Sequence, residues 1–304
     1  MHTVSVALSK RFIRSLATQV QSAPKDGGDF VRYLEYLKTS KDMRPLLYRP
    51  RNAAKLLTMD LGGGEIPTPR DPIQLPSVLT YAQLLDQMES AEQLQKHFVE
   101  LRQVHKKALW EHLSAQHLQH ILLRATFGLH CFGPTLTAVY QLKPLFARAK
   151  NTTAYDVDHL FNTILTCRLH TNSLLQEIDP VVATKKVAMS WENTNVRQTS
   201  TGLSAELLTA LSKQVGGEIP VPTELKVPVI LPSIDVDACS MGKAAAFVSA
   251  HRIRYLQART ATTFGSTNEA VMAFVSCYRA ALERTGRVDF YDLCVAALAP
   301  KQEP

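Results

Sequence analysis

Nowhere in the 304 residues is there an unbroken apolar run of the roughly 18 to 20 residues that a bilayer-crossing helix requires. The most apolar windows, such as 242–250 (GKAAAFVSA), are short and run straight into His251 and Arg252, so the expectation is a soluble or peripheral protein. Cysteine is sparse and unpaired: Cys131, Cys167, Cys239, Cys277 and Cys294 stand singly, odd in number and without a C-x-x-C. That spacing excludes a disulfide framework or a zinc ribbon and leaves buried, reduced thiols as the reading. Aromatic residues make up only 7% of the chain, and the apolar fraction leans on Leu and Ala, which favours helix over sheet. Motifs that carry chemistry are missing as well. No Gly-rich loop leads into Lys-Ser or Lys-Thr, and Gly62-Gly63-Gly64 has neither the spacing nor the strand-turn-helix setting of a dinucleotide loop. There is no G-x-S-x-G elbow and no H-E-x-x-H pair. We assign no catalytic residue, no cofactor and no metal from the sequence.

Acid is absent from the first 24 residues, MHTVSVALSKRFIRSLATQVQSAP, which carry Lys10, Arg11 and Arg14. Val4, Val6, Leu8, Phe12, Ile13 and Leu16 alternate with Ser, Thr and the cations, the composition of a mitochondrial transit peptide. Such a helix is drawn inward by the inner-membrane potential while its apolar face binds import receptors. The competing reading is a basic helix on a cytosolic protein. The expectation is a transit peptide at 1–22, removed near Ala17–Ser22, and residence in the mitochondrial matrix.

The formal net charge is +7, of which this stretch supplies three units and leaves four for the remainder. That balance suits an anionic partner without specifying one. After Lys25-Asp26-Gly27-Gly28, the spacing of Phe30, Val31, Leu34 and Leu37 predicts a short amphipathic helix over 29–39. Pro45 and Pro50 then break a basic loop, and 61–77 carries three glycines and four prolines, which predicts an extended surface-hugging segment. A related stretch recurs at 216–232: Gly63–Pro69 and Gly216–Pro222 agree at six of seven positions, 153 residues apart. A duplication and a chance recurrence both fit, since the flanking helices do not match.

Between and after these stretches the chain reads as helices. Thr80 with Gln83, Ser90 with Gln93, and Ser266 with Glu269 fit capping boxes. Ser114, the stretch from Thr153 to Asp156, and Ser204 open further helices; 242–263, 267–284 and 289–298 complete the set, with Gly286 as a break. Only 227–230 looks strand-like, and Pro228 interrupts it. The fold class expected is mainly α: an irregular helical-hairpin array or bundle with Pro/Gly-rich extended segments. The expected divisions are a basic arm with a short helix at 23–79, a helical domain at 80–215, an extended linker at 216–239 and helical hairpins at 240–304.

Six histidines fall within 34 residues: His97, His105, His112, His117, His120 and His130. His117 and His120 share a helix face but lack the further ligands a zinc site needs, so the reading is solvated or RNA-facing imidazoles. The acid pairs Asp156/Asp158 and Asp235/Asp237 are read as helix-start caps. Basic clusters point further. Residues 32–55 hold seven Lys or Arg against Glu35 and Asp42, with Tyr33, Tyr36 and Tyr48 interleaved. Cations neutralise phosphates and aromatic rings stack on unpaired bases, so Arg44, Arg49, Arg51 and Lys55 are candidate RNA contacts. Arg252, Arg254 and Arg259, near His251 and Tyr255, form a second candidate cluster on a helix.

The segment 272–298 resembles the helix–Gly–helix pattern of pentatricopeptide-type repeats, and 155–182 resembles it more loosely, without that family's regular spacing. The combination of transit peptide, basic Pro-rich arm and irregular helices also resembles lineage-specific proteins of mitochondrial ribosomes, particularly of the small subunit. That resemblance implies a non-catalytic structural component whose partners are mitochondrial rRNA and ribosomal proteins. Two alternatives remain at this point: a soluble helical subunit or assembly factor of a respiratory or ATP synthase complex, and a helical-repeat mRNA-binding translation factor.

Overall fold

Fourteen α-helices carry the fold among the residues that the computed structural model describes, which are 28–58, 68–73 and 75–298, with Leu57 described by its backbone alone. The expected transit peptide at 1–22 and the 61–67 part of the first extended segment lie outside the described residues. The helices are α1 (Gly28–Lys38), α2 (Met43–Leu47), α3 (Ala53–Leu57), α4 (Val78–Gln87), α5 (Ala91–Gln103), α6 (Lys107–His112) and α7 (Ala115–Phe127). They continue with α8 (Phe132–Arg148), α9 (Asn162–Asn172), α10 (Pro180–Glu192), α11 (Leu203–Val215), α12 (Met241–Thr263), α13 (Glu269–Thr285) and α14 (Phe290–Leu298). Among the described residues 68% are helical and there is no strand, only an isolated parallel bridge between Asp156 and Val196. The mainly α reading holds. The run 227–230 forms no strand, and 68–73 and 216–222 are without regular structure, as their prolines dictate.

Two helices sit at the centre. Eleven of the 13 residues of α7 are buried, and nearly all of α9 is, so neither shows the one-sided stripe of a surface helix. Around α7 pack α4, α8, α9 and α14; around α9 pack α11 and α12. The longest helix, α12, forms the most extensive pair with α13, and α14 beyond Gly286 lies against α12 and α7. The helix–Gly–helix unit seen in the sequence is therefore present, but the main hairpin is the preceding one, α12 with α13. One apolar cluster runs from Phe30, Tyr33, Leu34 and Leu37 of α1 to Phe290 and Leu298 of α14. A second, smaller cluster joins Val157, Phe161 and Leu165 to Leu207, Leu211 and Leu225.

Helix starts are set by side chains that satisfy free backbone amides. Ser90 accepts from the Gln93 amide at 3.3 Å while the Gln93 side chain accepts from the Glu89 amide at 2.8 Å. The box at Ser114 is closed by His117, whose Nδ1 accepts from the Ser114 amide at 2.9 Å. Four expected starts move, Ser204 among them, since α11 begins at Leu203 after Gly202 and leaves Ser204 inside the helix. The cap of α4 is Ser77, which accepts from the Thr80 amide, and Thr80 lies inside the helix. The cap of α13 is Asn268, because the Ser266 hydroxyl is taken up by Glu206 at 2.6 Å. Thr153 donates to Asn151, and Asp156 instead caps a π-helical turn, Val157–Phe161, that leads into α9. Helix α10, capped by Asp179 with Pro180 in its first position, had no counterpart in the sequence reading.

The histidine reading is overturned in part. His97 and His117 are buried, at 5% and 1% exposure, and His120 is largely enclosed. His97 shares a hydrogen bond of 2.9 Å with the Tyr81 hydroxyl, and His117 packs its ring against Tyr81. These imidazoles are neutral core groups: burial lowers His97 to about 4 and His117 to about 3. His105 and His130 do stay exposed. Among the described residues no helix is long and apolar enough to cross a membrane.

Candidate nucleic-acid interface

The arm at 38–58 is shaped by Arg44. Its guanidinium donates to the carbonyls of Leu37 (2.7 Å) and Thr39 (3.0 Å) and lies 4.8 Å from the Tyr36 ring centre. The last carbonyls of α1 have no helical partner, and a cation at that negative pole satisfies them. Arg44 therefore turns the chain out of α1 as well as carrying charge. Asn52 donates to the Pro45 carbonyl at 2.6 Å and folds the Pro50 turn back onto α2.

The interleaved tyrosines do not face outward as base platforms. Tyr33 and Tyr48 are buried, at 5% and 7% exposure, and Tyr36 meets Tyr48 edge-on at 5.0 Å. Tyr33 meets the His112 ring at 6.0 Å, and burial raises its hydroxyl pKa. Rings of this size bury too much apolar surface to remain in solvent when a helix face is at hand, so they fix the arm instead of stacking on bases. Arg70, which no motif singles out, closes the arrangement. Its amide donates to the Leu47 carbonyl (2.7 Å), and its guanidinium donates to the Tyr48 hydroxyl (3.2 Å) and pairs with Glu35 (3.1 Å). Glu35, exposed on α1, is thereby paired.

What remains outside is cationic. Arg49, Arg51 and Lys55 are exposed, as are Lys38 and Lys41, and none of the five is in an ion pair among the described residues. Asp42 is the acid left among them. Anions approaching the turn at Pro50 and the helix α3 meet these side chains unpaired, the arrangement that exchanges condensed counterions for protein cations. The cleft beside the arm, about 490 Å³ between α1 and the 69–77 segment, is lined by Asp29, Arg32, Glu35 and Arg70 in mixed sign and offers a polyanion no such preference.

The second cluster is arranged differently. Arg259 forms ion pairs with Asp289 and, at 2.9 Å, with Asp292, and stacks over Tyr291 at 4.4 Å. Tyr255 donates to the same Asp289 at 2.6 Å. Arg259 thus ties α12 to α14 internally. Arg252 is mostly enclosed, with its guanidinium 4.7 Å from the Phe290 ring, and burial lowers its pKa. Arg254 is half-buried. Their partners in sequence, thirty or more residues away, gave no signal beforehand. Of the acid pairs, Asp156 acts as a cap, accepting from the His159 and Leu160 amides, and Asp158 holds Thr199, Ser200 and Thr201, whereas Asp235 only closes a turn onto the Asp237 and Ala238 amides ahead of α12, whose cap is Ser240. Burial alone would raise Asp158, but those hydrogen bonds outweigh it and hold its pKa below the usual value. Among the described residues no group of three or more His, Cys, Asp or Glu side chains is placed to hold a metal ion.

Two family models match the chain. One is described as the MRP13-like N-terminal domain and covers residues 13–87; the other is described as the MRP13-like C-terminal domain and covers residues 90–303. The second alone spans well over half of the chain. The junction falls between α4, which ends at Gln87, and α5, which begins at Ala91, so the cationic arm lies wholly in the N-terminal unit.

Proposed function

The chain belongs to the MRP13-like family of mitochondrial ribosomal proteins, and from that premise we propose that the exposed cations of its arm anchor it to RNA of the small subunit. It is a structural component of the mitochondrial small ribosomal subunit, in the matrix, and its partners are those of the ribosome. Membership decides among the three assemblies that the sequence left open, in favour of the ribosome. The absence of catalytic work is part of the same proposal: the helical body fills and supports, and the arm makes the electrostatic contact.

The observation that carries this reading is the set of Arg49, Arg51 and Lys55, exposed and unpaired on a short Pro-broken turn whose shape Arg44, Tyr48 and Arg70 hold from within. Long cationic side chains on a pre-shaped turn lose less freedom on meeting a phosphate backbone than the same residues on a loose tail. We keep Arg44 as a contact of second rank, because two of its donors already serve carbonyls of the arm. Arg254 is retained from the second cluster, whereas Arg252 and Arg259 act inside the fold. Ultraviolet crosslinking of purified small subunits, followed by peptide mapping, should attach residues 38–58 to rRNA. Crosslinks from this segment exclusively to neighbouring proteins would overturn the proposal.

A further inference from the structure

Away from the arm, Lys143 comes together with Trp191 and Arg197, 48 and 54 residues further along the chain, where α8, the end of α10 and the loop 193–202 meet. Arg197 is exposed, with its guanidinium carbon 4.9 Å from the Trp191 ring centre. Trp191 is half-buried and held from below by the edge of Phe161, with ring centres 5.3 Å apart. Lys143 reaches from α8 to donate to the Glu192 carbonyl at the C-terminal end of α10, at 3.2 Å, with its ammonium 5.9 Å from the Tyr155 ring. The loop bearing Arg197 is fixed on both sides. Before it, the Asn195 and Val196 amides donate to the Tyr155 carbonyl; after it, Thr199, Ser200 and Thr201 bind Asp158. A mobile arginine would lose rotamer freedom on binding, whereas this one is already stacked and anchored.

Two cations are held here close enough to feel each other. Burial and, after it, the charge of Arg197 lower the pKa of Lys143. Neither cation is in an ion pair among the described residues, and the nearby Glu192 offers its carbonyl to Lys143 while its carboxylate pairs with neither. Like charges kept together without a counter-charge are unfavourable, and an anion bound between them removes that cost. The planar guanidinium lies over the Trp191 ring, an arrangement in which arginine takes phosphate oxygens with its donors and accepts a base on its other face.

We propose that Lys143, Arg197 and Trp191 form a second phosphate-binding position for RNA, which takes a backbone phosphate of a single-stranded or looped segment. It shares with the arm the premise that RNA is the partner, but it stands on different residues and is read by a different signal. The chain has two tryptophans, and Trp110 is buried at 2% exposure, so quenching by an added nucleic acid reports on Trp191.

The experiment titrates the folded protein with a short single-stranded ribo-oligonucleotide of mixed sequence and follows tryptophan fluorescence at about 50 to 200 mM KCl. The expected result is saturable quenching whose midpoint weakens with salt. In K143Q/R197Q the affinity read by this signal should fall by about tenfold, and the salt slope should shrink by about 1.4, roughly 0.7 per lost cation on a single strand. K143R, which keeps both the charge and the reach to Glu192, should bind as the parent does and guards against a fold effect. The arm variant R49E/R51E/K55E should retain the quenching. Unchanged quenching in K143Q/R197Q, or equal quenching by inorganic phosphate at the same phosphate concentration, would overturn the site as an RNA contact. Loss of quenching in the arm variant, with K143Q/R197Q unaffected, would sink this proposal and leave the arm reading intact.

Discussion

His97, His117, His120 and His170 have exchanged water for apolar neighbours, and the cost of charging them there sets how the protein responds to acid. Burial lowers His97, His120 and His170 to about 4 each and His117 to about 3. An unfolded histidine takes up its proton near pH 6.5, so between that value and about 4 the unfolded chain binds protons that the folded chain refuses. Stability is therefore lost as pH falls through this window, by about 1.4 kcal/mol per pH unit for each such group. Two groups oppose the trend. Burial raises Asp86 to about 7, so its protonation favours the fold below neutrality, and the hydrogen bond that His159 donates to Asp156 raises His159. Burial lowers His112 and His251 as well, so six stand against two and the balance favours acid destabilisation. Urea denaturation at about pH 7.5 and about pH 5 should show a midpoint clearly lower at the acid end; an equal or higher midpoint at pH 5 would refute the buried neutral histidines. None of this was legible from His97 to His130 in the sequence. A histidine on a helix looks the same whether its face meets water or Tyr81. The same holds for Arg259, whose role depends on Asp289 and Asp292 brought in by a later helix.

At the scale of elements, local signals were readable where the cap and its helix are adjacent, as at Ser90, Ser114 and Gly286. They misled where a distant group competes for the hydroxyl, as Glu206 does for Ser266. The start of α10 did carry a signal, Asp179 followed by Pro180, an N-cap acid with proline in the first helical position. The loop 193–202 illustrates what only the folded chain reveals. Gly202 has φ of +69°, and a Cβ there would stand 2.7 Å from the Pro228 carbonyl oxygen. The 227–232 segment lies against this turn, with the Ile230 amide donating to the Thr201 carbonyl at 3.1 Å. The proline-rich stretch is thus docked onto α11's entry without being a strand. Gly202→Ala combines left-handed strain with a backbone clash, and should cost on the order of 1 to 3 kcal/mol in chemical denaturation. A variant as stable as the parent would show that the 227–232 segment is not seated on Gly202.

For the whole molecule, one apolar cluster links α1 next to the arm with α12 to α14 at the other end of the chain, so the arm is carried by a rigid body and not by a loose tail. The helical class was visible from composition, caps and proline placement, and so was the charge of 32–55. Which of those charges face outward was not, because Tyr48, Arg70 and the α1 carbonyls make that choice. The central claim is that Arg49, Arg51 and Lys55 hold this protein on small-subunit RNA. Their replacement by Glu lowers the local charge by six units at exposed positions with little core to lose, so folding should be unaffected. Sedimentation of tagged protein from mitochondrial lysates tests the claim most directly. The parent protein should travel with the small subunit and be stripped from it as salt rises, while R49E/R51E/K55E, equally folded and imported, should stay near the top of the gradient. A triple variant that travels with the small subunit at the parent's level, with the parent's resistance to salt, would contradict it.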